Sequence, residues 1–160
     1  MLLEDIPDGK VDQYYSGVEI HVIEIAALTR KLRDLGKLPD NTLENMNINL
    51  TRYTSHGPDS QRAYVNMEKE YDLENPSLDQ LPLSRIVDLI IHSYILQASG
   101  DENYAFSHIL VTSDFTRFSG LYSIDLIDLT MACLAACNAY PSSLRAVYDQ
   151  VAKKWIHTRV

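Results

Sequence analysis

The sequence predicts a mainly α domain, a helical bundle of about five helices with one embedded antiparallel β-hairpin, α+β by strict count. Three observations predict it. Apolar residues recur at threes and fours along most of the chain, the period of an amphipathic helix. That period breaks at "HILVTSD" (108–114) and "GLYSID" (120–125), two short runs rich in β-formers and joined by the hairpin-sized loop "FTRFS". The chain has 160 residues, 46% apolar and 22% charged, which suits one globular domain over 1–160 with a full hydrophobic core.

The elements follow in order. Val18, Val22, Ile25, Leu28 and Leu32 mark a long helix over 13–35, stopped by Gly36 with Pro39 just beyond. Asn41 and Glu44 have capping-box spacing, and Leu43, Met46, Leu50 and Tyr53 supply a second apolar stripe. "SHGPDS" (55–60) breaks that stripe as a loop. Residues 61–72 fit a helix face through Tyr64, Met67 and Tyr71, or an extended segment. A connection over 74–82 leads into a helix from Leu83 to about Ala98, ended by Ser99, Gly100 and Asp101. After the hairpin, Asp125 caps a helix running from 126 to about 139. Pro141 interrupts, and Leu144, Val147, Tyr148, Val151 and Trp155 define a last amphipathic helix.

Composition narrows the function classes. A net charge of −8 and a pI near 5.0 repel polyanions, which counts against general DNA binding and against anionic membranes. A local arginine can still grip one phosphodiester. The N-terminus "MLLEDIPDGK" has acids where a signal peptide needs bases, and no run reaches the ~18–20 apolar residues of a membrane span. A cytoplasmic protein is expected. Cys133 and Cys137 read as reduced core thiols. No Gly-rich phosphate loop, nucleophile elbow or dinucleotide fingerprint occurs, and no histidine pair has the i, i+4 spacing of a metal site, so no cofactor and no metal are expected.

The chemistry concentrates in "SRIVDLIIHSY" (84–94), an apolar stretch carrying Arg85, Asp88 and His92. At 100° per residue, His92 returns to within about 20° of Arg85, and Asp88 lies about 60° away. The remaining positions are apolar, as in a helix buried nearly all round with one polar stripe. Histidine can take a proton near neutral pH, and arginine holds phosphate oxygens in a fixed fork. Together they suit cleavage of RNA at its own 2′-hydroxyl.

Arg85, six residues, His92, one residue and Tyr94 resemble the signature element of HEPN domains. These are small, mostly helical domains, many of them homodimers, and several are metal-independent ribonucleases of defence and toxin–antitoxin systems. The resemblance implies a homodimer in which Arg85 and His92 of two protomers meet at the interface as the catalytic pair, with RNA as substrate. Asp88 would orient one of them. In one branch the tyrosine of the element is nucleotidylated, which would make Tyr94 a regulatory site. Arg117, near the predicted hairpin tip, is a candidate anion contact.

Other readings stand beside this one. Arg85 and Asp88 are spaced for an intrahelical ion pair, and His92 could complete a purely architectural cluster. The −8 charge and ten tyrosines equally fit a non-catalytic module that binds a protein partner, in an immunity or regulatory role. A small-molecule sensor with a pocket between hairpin and helices is the third.

Overall fold

The computed structural model describes residues 11–57, 66–100 and 106–159. The expectations for the N-terminal decapeptide, for the end of the 55–60 loop, for 61–65 and for Asp101 lie outside these residues. The chain first forms α1 (Val11–Asp34), which buries Val22, Ala26 and Thr29 along one face. Gly36 ends it in the left-handed region at φ 65°, with Gly36 N donating to Arg33 O and Lys37 N to Leu32 O. This is the glycine stop that the sequence marks.

Next come α2 (Thr42–Asn45), β1 (Asn47–Thr54), α3 (Met67–Glu70), β2 (Ser77–Pro82) and α4 (Leu83–Ile91). They are followed by β3 (Ser93–Gly100), β4 (Phe106–Ser113), β5 (Gly120–Asp125), α5 (Leu126–Asn138), β6 (Leu144–Asp149) and β7 (Lys154–Arg159). The mainly α expectation is thereby overturned. Among the described residues there are five helices and seven strands, with a five-stranded antiparallel sheet and a separate two-stranded one. The fold is α+β with a large antiparallel sheet, not a helical bundle.

Three predicted helices account for the difference, and each has a physical reason. The stripe over 43–53 skips Ile48, yet "NINLT" alternates polar and apolar with period two, and Ile48 and Leu50 are the buried positions of β1. Only the turn 42–45 is helical, and Asn41 precedes it at φ 65° without a side-chain cap bond, so no capping box forms. The helix expected over 83–98 ends at Ile91, because "SYILQ" pairs with β4 as a strand. A continuous apolar run does not reveal by periodicity where helix gives way to strand. The last helix is instead the β6–β7 hairpin, rich in Val, Tyr, Trp, Ile and Thr about a four-residue turn in which Lys153 takes φ 49°. The predicted hairpin is present as β4 and β5. Asp125 caps α5 as expected, accepting from the backbone N–H groups of Ile127 and Asp128.

The five-stranded sheet runs β2-β1-β5-β4-β3. One face presents Ile48, Leu50, Ile109, Val111, Tyr122 and Ile124 to α1, α4 and α5, forming the main core. The other presents Ile95 and Leu121 to Tyr71, supported by Tyr53, Met67, Leu73 and Tyr94. Since β2 and β3 are opposite edges, α4 carries the chain across the sheet and must bury Ile86, Val87, Leu89 and Ile90. Alpha-helical burial on both the sheet side and the α1 side leaves only a narrow outer stripe for polar groups. Cys133 and Cys137 are free thiols. Cys133 is buried against Thr29, and burial pushes its thiol above the usual range. No helix among the described residues is long and apolar enough to cross a membrane.

The Asp125 cap provides a local test of this architecture. Asp125→Ala is expected to cost about 1 kcal/mol by stranding two helix N–H groups. In a chain of this size that lowers the thermal midpoint by about 2–4 °C. A thermal melt followed by circular dichroism measures the shift.

Candidate functional site

The outer stripe of α4 is where the sequence-predicted residues meet. Arg85 and His92 are exposed and Asp88 is half-buried, and all three line one open cleft of about 250 Å³. Across from them stand Arg30 of α1 and the β4–β5 turn residues Ser113, Phe115 and Thr116. The cleft therefore lies where the helix that crosses the sheet passes between α1 and the hairpin turn. His92 is the residue that closes α4, and its backbone N–H donates to Asp88 O at 3.0 Å.

Side-chain pairing in the cleft is not the intrahelical one. Asp88 Oδ1 faces Arg30 Nη1 at 3.6 Å rather than pairing with Arg85. Arg30 Nη1 also lies 3.2 Å from His92 Nε2, and its Nε lies 3.9 Å from Asp34. A guanidinium only donates, so a hydrogen bond in this contact makes Nε2 of His92 the acceptor. Arg85 makes no ion pair among the described residues, so a permanent cation stands open to solvent in the cleft. The floor beside it is a hydroxyl cluster. Thr116 Oγ1 accepts from Ser113 N and lies 3.0 Å from the hydroxyls of both Thr112 and Ser113. Thr112 in turn donates to Gly120 O, which fixes the turn.

Tyr94 and Arg117 do not line this cleft. Tyr94 belongs to β3 and packs with the cluster on the other sheet face, where the Arg117 guanidinium lies 4.6 Å from its ring centroid. Arg117 also stacks on Phe118 at 4.8 Å. Tyr71, fully buried there, donates to Arg117 O at 3.1 Å. The two residues singled out from sequence are thus brought to one another, in a packed aromatic cluster. Among the described residues no three His, Cys, Asp or Glu side chains converge on a point.

Sequence reasoning missed Arg30, Ser113, Phe115 and Thr116. Arg30 is 62 residues from His92, so no spacing links them, and it reads as one charge among several on α1. Ser113 and Thr116 carry the ordinary composition of a turn, which they also form. Only the exposed Phe115, beside two hydroxyl residues at a hairpin tip, is a signal that could have been weighed.

No protein-family model, curated protein or solved structure matches the chain.

The buried Tyr71 phenol gives a pH prediction. Burial, reinforced by the neighbouring Glu70, pushes its pKa from 10.0 up to about 12. The folded state therefore keeps a proton that the unfolded state loses first. The stability this adds is complete below about pH 10 and falls as pH rises towards 12. Tyr71→Phe is expected to remove that share of the alkaline loss, read as a shallower decline of urea midpoints across that window. Equal slopes in variant and wild type would refute it.

Proposed function

We propose that the α4 cleft is a metal-independent endoribonuclease site that carries the HEPN-like Arg85, His92 and Tyr94 element on a fold other than that family's helical bundle, working in a cytoplasmic stress or defence setting. The observation that carries the reading is the arrangement of the cations. Arg85 has no carboxylate partner among the described residues and shares an open cleft with the imidazole of His92. In the architectural reading Arg85 would pair with Asp88, but Asp88 is turned to Arg30 instead.

The chemistry follows from these groups. A phosphodiester entering the cleft meets Arg85 and Arg30 through its non-bridging oxygens. Those charged oxygens are better acceptors than a neutral ring nitrogen, so Arg30 leaves His92 for the phosphate. Nε2 is then free to take the proton of the 2′-hydroxyl. The 2′-oxygen attacks phosphorus, the bond to the 5′-oxygen breaks, and the leaving oxygen takes a proton from water. The products are a 2′,3′-cyclic phosphate and a 5′-hydroxyl. Both guanidinium groups stabilise the charge that builds on the phosphorane. Phe115, 89% exposed at the rim, offers a face on which a neighbouring base can stack. One chain lines the whole cleft, so the reading does not require Arg85 and His92 to come from different protomers.

A second reading, a non-catalytic binding module, is favoured by the large apolar side chains exposed on α5 and on the β6–β7 hairpin. Cleavage of single-stranded RNA in the presence of a chelator separates the two. The ribonuclease reading expects His92→Ala to lose at least about 100-fold in rate. Arg85→Ala is expected to lose about 100- to 1,000-fold. Cleavage that survives in His92→Ala, or an inactive wild type, would remove the catalytic assignment.

A further inference from the structure

Among the described residues the β6–β7 hairpin is a two-stranded sheet with no third strand, and an isolated hairpin is at best marginally stable in water. Every residue of its strands is exposed except Asp149 and Arg159. Its register puts Tyr148 and Trp155 together on one face, with rings 5.4 Å apart, and Val147 and Ile156 together on the other. The first face also carries Leu144, while the second sets its apolar pair among Arg145, Asp149, Lys154 and Thr158, and Ile156 turns partly towards Leu38 and Pro39. The hairpin is tied to the body at one end, where Arg159 N donates to Asp40 and Asp40 N donates to Arg159 O.

The same chain exposes a second apolar surface. Alpha-5 buries Leu129, Cys133 and Ala136 on its inner side, while Ile127, Met131 and Leu134 on its outer side are 72%, 59% and 53% exposed. Helical spacing places these three on one stripe. A helix apolar on both sides is an interior helix, and here its outer side meets solvent.

Charge distinguishes the two surfaces. Residues 144–159 hold Arg145, Lys153, Lys154 and Arg159 against the single acid Asp149, a net charge of +3. The whole chain carries −8, so the remainder carries −11. Alpha-5 has no Lys or Arg, and Asp125 and Asp128 stand at its start. Lengths also agree, since six strand residues and thirteen helical residues each extend about 20 Å.

We propose that the hairpin is a docking arm for a second copy of this chain, seated on the outer stripe of the partner's α5. Trp155 or Ile156 supplies the apolar anchor, and Lys153 and Lys154 meet the acidic start of α5. Exchange is reciprocal, so one two-fold operation covers both exposed surfaces in both copies and closes the assembly. A polyanion would complement the charge and stack on Tyr148 and Trp155, but it leaves the apolar outer stripe of α5 uncovered, whereas a second copy covers both surfaces. That asymmetry favours protein.

Sedimentation equilibrium of the full chain across the micromolar range tests the proposal, with folding of each variant checked by circular dichroism. The wild type is expected to be a dimer. An arm variant, Trp155→Ser with Ile156→Ser, and a face variant, Met131→Glu with Leu134→Glu, are each expected to weaken it by about 30-fold or more. Mixing the two variants pairs one intact arm with one intact α5, and a dimer of intermediate affinity is expected. Three results would overturn the proposal. They are a monomeric wild type, a dimer insensitive to both variants, and a mixture no tighter than either variant alone. RNA binding abolished by the arm variant in a monomeric wild type would reassign the hairpin to nucleic acid.

Discussion

Everything else in this molecule is arranged around the passage of α4 across the sheet. The chain leaves one edge strand at Pro82 and enters the opposite edge at Ser93, with nine helical residues between. Five strands span about 19 Å between their outer axes, and nine helical residues advance about 13 Å. The helix must therefore lie close against the sheet, with little slack at either end. That placement explains why Leu83, Ile86, Val87 and Ile90 are essentially inaccessible to water. It also explains why α1 can cover α4 only by packing alongside it.

The polar stripe is the remainder of this constraint. Arg85, Asp88 and His92 occupy the outer side of α4, where α1 reaches them through Arg30 and the β4–β5 turn closes the cleft from beyond. Exposure keeps the desolvation cost of three ionisable groups small, where a sealed cluster would have cost several kcal/mol per ion. Arg30 then satisfies Asp88 and occupies the acceptor nitrogen of His92, while Arg85 keeps its charge uncommitted. The same helix that holds the fold together thus presents three ionisable groups to solvent without threatening it.

Much of this was legible in the sequence, and what was not has clear physical causes. The glycine stop after α1, the Asp125 cap and the β4–β5 hairpin each rest on local backbone chemistry, which a sequence displays directly. The single polar side of α4 was legible from angular spacing alone. The end of that helix at Ile91 was not, because an unbroken apolar run satisfies a buried helix and a buried strand equally well. The β6–β7 segment failed for a related reason, since Leu144, Val147, Tyr148, Val151 and Trp155 also fit helical spacing, and β-propensity is the weaker prior. Arg30 entered the cleft through tertiary packing, which leaves no trace at any fixed sequence separation.

The pairing of β1 with β5 has a kinetic consequence. It joins Thr51–Thr54 to Gly120–Ser123, so the middle of the sheet closes a loop of about seventy residues. The β3-β4-β5 meander and the capped α5 need only short closures, and can assemble before that loop is drawn in. The β1–β2 pair then docks as a preformed edge, and the chain's slowest search is for one correct seam between two local units. Until that seam closes, Ile48 and Leu50 lack their cover, and the half-built sheet offers a bare strand edge to any neighbouring chain.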